Sequence, residues 1–392
     1  MHLPNHFRFA GLHCGIKPST KSDLALVVSD LPAAGAGVFT QNRVRAAPVR
    51  LTEQRLPASD IRGLVVCSGN ANACTGEPGW RDAVRMAEIA ADKLGCRPDQ
   101  ILVCSTGVIG QRLPMEKIEA GIDLAAKNLA SDRQSFAAAA SAILTTDTRA
   151  KISSRIISFA GSEIRLTGFA KGAAMIGPNM ATMLAFVLAD SAVPCQHLQN
   201  LARQAAQETF NCVRVEGHTS TNDSLILLAN GAGPPLPNEG LKEFDAAVTA
   251  ICADLAREIA ADAEGASHLV TIRVTGLPSK EEARRVAIAV ADSPLVKTAI
   301  FGADPNWGRI VSAAGYAGVD FEEKNLSLRL GDFELYKTGT PARFSQEDAS
   351  AYLKNNREID LHLSFDLGTE TATVWTCDLT YEYVRLNAEY TT

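Results

Sequence analysis

Hydrophobic positions along the chain fall into two rhythms. Trp80, Val84, Ala87, Ala91 and Leu94 recur at three- and four-residue spacing and stop before Gly95 and Pro98. That predicts an amphipathic helix with its own stop signal. Phe244, Val248, Ile251, Leu255 and Ile259 predict a second helix, and the alanine-rich run 136–144 a shorter one. Short apolar runs at 64–68, 101–104, 183–189, 225–229, 270–274 and 373–377 predict strands. Leu361, Leu363 and Phe365 alternate with polar residues, as in a strand buried on one face. Helices alternating with strands give an α/β fold, with sheets covered by helices. The helical stripes are read as core faces. No fixed-period repeat is evident, and the Gly- and Pro-rich loop 231–237 is a surface connection.

Composition narrows the function more than the fold. A hydrophobic fraction of 46% and a charged fraction of 21% belong to an ordinary globular protein, and 392 residues allow two domains. The net charge is -6 and no basic run occurs, so nucleic acid is not an expected partner. No apolar stretch reaches membrane-spanning length, and the first residues lack a basic segment followed by an apolar core. Nine scattered cysteines without a CxxC pair read as reduced, buried thiols of a cytoplasmic protein. The histidines are not read as a ligand set, and neither a metal nor a cofactor is expected.

The chemistry concentrates between Lys171 and Phe186. A loop containing Gly172, Gly177 and Pro178 runs into an apolar strand, and Thr182 stands at the junction. A hydroxyl held at such a bend can attack the preceding carbonyl, that of Ala181. The resulting ester hydrolyses and leaves Thr182 with a free α-amine. A threonine hydroxyl needs a base to act as a nucleophile. An α-amine with a pKa of about 7.7–8.0 supplies one within the same residue. The residues equally permit a plain strand that begins with threonine, a good β-former.

The stretch resembles the cleavage motif of the ornithine acetyltransferase (glutamate N-acetyltransferase) family, in which the chain cuts itself before the threonine of Ala-Thr-Met-Leu, here residues 181–184. Further segments resemble the family in order along the chain. They are 37–40 (GVFT), 68–76 (SGNANACTG), 105–110 (STGVIG), 145–148 (TTDT), 219–224 (TSTNDS), 304–309 (DPNWGR) and the end, 383–392 (YVRLNAEYTT).

The resemblance implies a layered helix-sheet-sheet-helix sandwich of the N-terminal-nucleophile-like acetyltransferase type. It implies an α chain of residues 1–181 and a β chain of residues 182–392, joined as an α2β2 assembly. It implies transfer of acetyl from N2-acetyl-L-ornithine to L-glutamate through acetyl-Thr182, with acetyl-CoA a further donor in some members. By the same resemblance Thr106, through its hydroxyl, and Gly107, through its N–H, stabilise the oxyanion. Thr145, Lys171, Thr182, Glu264, Asn387 and Thr392 line the substrate pocket, and Ala181 and Thr182 flank the cut.

Read without the family, Thr106 and Gly107 form a turn, Thr145 and Asp147 an N-cap, and the last residues a frayed tail. Three positions depart from the family pattern: Ala174 and Ala263 stand where glycine is usual, and His218 where an acid is common. Alanine takes positive φ less readily than glycine, so a strained cleavage loop and an altered pocket are expected at the first two. The competing readings are an N-terminal-nucleophile amidase or aminopeptidase, and a non-catalytic amino-acid-binding protein on the same scaffold.

Overall fold

The computed structural model describes residues 1–159, 161–177 and 183–389. The chain forms two compact units, Met1–Asn211 with His218–Ile259, and Cys212–Gly217 with the residues from Ala260 onward. The expected α/β class holds in both. In chain order the strands are β1 (Phe7–Leu12), β2 (Leu24–Phe39), β3 (Ala58–Asn70), β4 (Ile101–Val108), β5 (Lys151–Phe159), β6 (Ser162–Lys171), β7 (Leu184–Ala189), β8 (Val213–Arg214), β9 (Ser224–Ala229) and β10 (Leu269–Leu277). They continue with β11 (Ser327–Leu330), β12 (Phe333–Lys337), β13 (Thr340–Pro341), β14 (Glu358–Ser364) and β15 (Glu370–Cys377).

The first unit holds a sheet in the order β4-β3-β2-β9-β7-β6-β5, with β1 also paired to β2. The long β2 joins its two halves. Residues Leu24–Val28 pair with β1 and β3, whereas Ala34–Phe39 pair with β9. Side-chain alternation along β3 and β4 then sorts the layers. Val65, Cys67 and Val103 pack outward on helices α2 (Gly76–Leu94) and α3 (Met115–Lys127), which follow α1 (Ala47–Arg55). Leu64, Val66, Leu102 and Cys104 face a second cluster shared with Phe169, Phe186, Leu188, Ile226 and Leu228 of the other half. Helix α4 (Arg133–Ala142) seals it: Phe136 meets Phe9 at 5.1 Å and Phe169 at 5.4 Å, ring edges on ring faces. Such pairs are worth about 0.5–1.5 kcal/mol beyond their buried area.

Behind the second half lie α5 (Cys195–Glu208) and α6 (Asn238–Ala261). A side chain at Gly168 of β6 would meet Ile251 and Leu255 of α6 at 2.5 and 3.0 Å, so glycine lets that helix sit close. The result is helix, sheet, sheet, helix. Strands β7 and β9 are parallel and buried along their whole length, which is why both read as unbroken apolar runs.

The second unit has a sheet in the order β13-β12-β11-β14-β10-β15-β8. Helices α7 (Lys280–Asp292), α8 (Pro294–Phe301) and α9 (Trp307–Gly315) supply Val286, Val290, Ile300 and Ile310 to a core against Ile272, Leu361 and Leu363. The exposed residues of β14 alternate with those buried ones. The polar segment 304–309 serves structure here: Asn306 caps α9, accepting from Arg309 N at 3.2 Å, and Asp304 fixes Asn306. Helix α10 (Gln346–Asn355) and the terminal α11 (Tyr381–Glu389) complete the unit. Residues Tyr381–Glu389 are therefore helical rather than frayed, and 390–392 lie outside the described residues.

Candidate active site

The apolar strand β7 begins at Leu184, paired with Lys171 of β6 on one side and Ser224 of β9 on the other. Thr182 and Ala181 lie outside the described residues, as does Thr392. Met183, which follows Thr182 in the chain, donates its N–H to Asp223 Oδ1 at 3.1 Å. Asp223 is fully buried, and among the described residues its Oδ2 accepts no hydrogen bond. Burial raises its pKa well above the usual carboxylate range, against the opposing pull of Met183 N–H and Lys171.

Asn222 ties the start of β9 to the ends of β3 and β4. Its amide donates to Ala71 O at 2.7 Å and to Ser105 O at 2.8 Å. Thr40 accompanies it, donating through Oγ1 to Ser220 O at 2.7 Å. Four of the segments singled out above, 37–40, 68–76, 105–110 and 219–224, thus meet through hydrogen bonds.

The end of β4 brings Thr106 and Gly107 to the same place. Lys171 Nζ donates to Thr106 Oγ1 at 3.3 Å, and both residues are buried. Gly107 has φ +131°, and a Cβ there would lie 2.3 Å from Gly69 C. Only glycine fits, because the β3 backbone approaches too closely for any side chain. The turn reading for these two residues is replaced by the end of a strand.

Asp147 organises the fourth corner. Its Oδ2 accepts from Thr145 N at 3.0 Å and its Oδ1 from Gly172 N at 2.6 Å. Lys151 Nζ lies 2.5 Å from Oδ1, with both side chains wholly buried. Burial alone would raise the Asp147 pKa, but Lys171 and Lys151 bring it down to about 2. No helix starts here, so the N-cap reading of Thr145 and Asp147 is corrected: the carboxylate closes a turn and neutralises buried ammonium groups. Sequence reading missed Asp147, Lys151, Asn222 and Asp223 as site components. Asp147, Asn222 and Asp223 lie in the segments 145–148 and 219–224 that resemble the family, which gave these three no catalytic or binding role, and Lys151 carried no signal.

Glu264 and Asn387 belong to the second unit. Asn387 Nδ2 donates to Glu264 Oε2 at 3.3 Å and to Tyr383 O at 3.0 Å. Gly265, at φ +69°, lets α11 approach: a Cβ there would lie 2.4 Å from Tyr383 N. Thr380 Oγ1 bonds Gly265 O at 2.6 Å and accepts from Tyr383 N at 3.1 Å, pinning the start of α11 to the Glu264 loop.

Strain at Ala174 and Ala263 does not arise, since neither takes positive φ. Among the described residues that lead from β6 toward β7, Met175 is left-handed, at φ 58°. His218 is exposed. His268 is bound to Asp378 and to the Leu353 carbonyl, at 2.8 and 2.9 Å. His2 and His6 stand four apart, a ligand spacing only on a helix, and their segment is not helical. Among the described residues no group of three or more His, Cys, Asp or Glu is arranged to hold a metal ion.

The ArgJ family model matches residues 8–392. The arginine biosynthesis bifunctional protein ArgJ of Synechocystis sp. is 46% identical over 99% of this chain and 97% of its own length. That of Symbiobacterium thermophilum is 45% identical over 99% and 98%. A crystal structure of the protein of that name from Bacillus halodurans is 39% identical, with a TM-score of 0.50, over 52% of this chain and 98% of the solved chain. With motifs, fold and near-complete coverage in agreement, the chain belongs to the ArgJ family.

Proposed function

We propose that the protein moves acetyl from N2-acetyl-L-ornithine to L-glutamate through an ester on Thr182, after cutting itself between Ala181 and Thr182. The class of reaction follows from the family: the chain is an acetyltransferase of arginine biosynthesis. The observation that carries the residue assignment is the buried Lys171–Thr106 hydrogen bond at the strand end where Asp223 holds Met183.

In the first half-reaction the Thr182 α-amine takes the Oγ proton as Oγ adds to the acetyl carbonyl. The carbon–nitrogen bond breaks, and ornithine leaves with the proton on its amine. In the second, the glutamate amine attacks the ester. Its proton returns to Oγ as N-acetylglutamate departs. Negative charge develops on the carbonyl oxygen in both steps, where waiting donors are worth most. Thr106 Oγ1 already accepts from Lys171, which turns its own proton toward another acceptor, the role an oxyanion donor needs. Gly107 N–H is the second donor. By the family resemblance Lys171 and Thr145 receive the substrate carboxylate and Glu264 its ammonium, and Asn387 and Thr392 are further substrate contacts.

Cleavage before residue 182 gives chains 1–181 and 182–392. The solved relative is about half this length, which supports a cut near the middle. We extend the proposal to an α2β2 assembly in the cytoplasm. All nine cysteines are free, which suits a reducing compartment. Steady-state rates at varied acetylornithine and glutamate test the mechanism. Parallel double-reciprocal lines are expected from an acetyl-enzyme, and intersecting lines contradict it. A rate independent of glutamate would point to hydrolysis instead. Production of N-acetylglutamate from acetyl-CoA tests the second donor.

A further inference from the structure

The buried Lys151–Asp147 pair is adjacent to every proposed carboxylate-binding group of the first unit, yet neither residue is itself assigned to substrate. We propose that Asp147 is a positioning residue: its carboxylate, balanced by Lys151, locks the Thr145 turn to the end of β6 and so sets Lys171 and Thr145 for the substrate carboxylate. The inference rests on the acetyl-transfer reading for what Thr145 and Lys171 bind.

The geometry divides the carboxylate between three backbone segments. Oδ2 takes the Thr145 N–H at the start of the turn. Oδ1 takes the Gly172 N–H, the peptide immediately after Lys171. Lys151, which also bonds Oδ1, opens β5 and pairs in register with Ala170, next to Lys171. One anion therefore joins residues 145, 151 and 172 through hydrogen bonds. A buried carboxylate without a counter-ion is costly, and so is a buried ammonium without one. Lys151 supplies the first requirement and Asp147 the second. Lys171 and Lys151 hold the Asp147 pKa down to about 2, so the carboxylate is ionised near neutral pH.

Asparagine at 147 offers one acceptor oxygen and an NH2 group. It can satisfy only one of the two oxygen positions, and it presents donors to a donor at the other. Asp147→Asn also removes the carboxylate paired with the buried Lys151, and that variant can fail to fold. Asp147→Asn combined with Lys151→Met removes both charges and keeps the volume close to native.

Both variants are measured as full-length protein by amide hydrogen exchange, thermal melting and steady-state kinetics. In the folded variants, exchange at Thr145 and Gly172 is expected to quicken at least about tenfold, the loss of roughly one buried hydrogen bond. KM for acetylornithine is expected to rise by a similar factor, with a smaller change in kcat. A merely structural pair would lower the melting temperature without that KM shift. Wild-type amide protection in the double variant overturns the proposal, as does an unchanged KM alongside faster exchange. Exchange needs no substrate. If the wild type itself transferred no acetyl, the functional reading would fail on that observation, and amide protection would still decide the lock.

Discussion

At the residue scale, the site combines groups whose ionisation is set by burial and groups whose hydrogen atoms are set by neighbours. Thr106 is of the second kind, since Lys171 occupies an acceptor position on its oxygen. Thr106→Ala is expected to lower kcat by roughly 100- to 1,000-fold, with a smaller change in KM. Steady-state kinetics check it, and a wild-type kcat would remove Thr106 from the mechanism. His268 lies between two groups that accept, Asp378 Oδ2 and Leu353 O, so both ring nitrogens donate and the imidazolium is the favoured form. The Asp378 hydrogen bond accordingly raises its pKa. A histidine with a raised folded pKa contributes fully below the unfolded value of about 6.5, and the contribution is lost as pH rises through the folded pKa. His268→Gln should flatten that loss. A melting temperature that falls as steeply with pH in the variant, from about 6 upward, would show that the ring is not the titrating group. The sequence offered no hint of this, because Asp378 lies 110 positions away.

At the element scale, the fold was legible where one face or both faces of an element are uniformly apolar. The Trp80–Leu94 stripe became α2, ended by Gly95 in the left-handed conformation with its N–H on Ala91 and Asp92 carbonyls. The runs at 183–189 and 225–229 became the doubly buried β7, which starts at Leu184, and β9. Strand β2 escaped notice. Its centre, Ala34-Gly35-Ala36-Gly37, is small because neighbours crowd it: a Cβ at Gly35 would meet Ile61 and Leu56 at 2.9 Å, and one at Gly37 would meet Phe39 at 2.7 Å. The β5–β6 hairpin carries Ser153, Ser154, Arg155 and Glu163, too polar for a strand signal.

Two glycines make the placement of elements testable. Gly107→Ala puts a Cβ 2.3 Å from the β3 backbone and should reduce kcat, since the strand end must move. Gly265→Ala puts one 2.4 Å from Tyr383 N and should shift α11 instead, raising KM with Asn387 displaced. Backbone strain of this kind costs about 1–3 kcal/mol. If both variants altered the same kinetic constant, the separate roles assigned to β4 and α11 would be wrong. Deletion of residues 388–392 should likewise raise KM while leaving cleavage intact, and unchanged KM would make the tail dispensable.

At the scale of the whole molecule, the cut proposed before residue 182 does not fall between the two compact units. It falls inside the first, between strands that pair in register, Lys171 with Leu184 and Phe169 with Phe186. Both products contribute to one sheet and one core, so they should remain associated after cleavage and separate only on denaturation. The position proposed for the cut comes from a sequence motif. It could not carry the pairing of β6 with β7 across that loop, which depends on the apolar cluster of Phe136, Phe169 and Phe186. No helix among the described residues is long and apolar enough to cross a membrane.

The central claim is that Thr182, freed by self-cleavage, carries the acetyl group. The most direct measurement is the intact mass of the denatured protein before and after addition of N-acetylornithine without glutamate. Two chains, 1–181 and 182–392, are expected, and the second alone should gain the mass of one acetyl group, lost again when glutamate is added. Thr182→Ala should give one unmodified chain. Cleavage at the same bond in that variant, or an acetyl group on the 1–181 chain, would contradict the account.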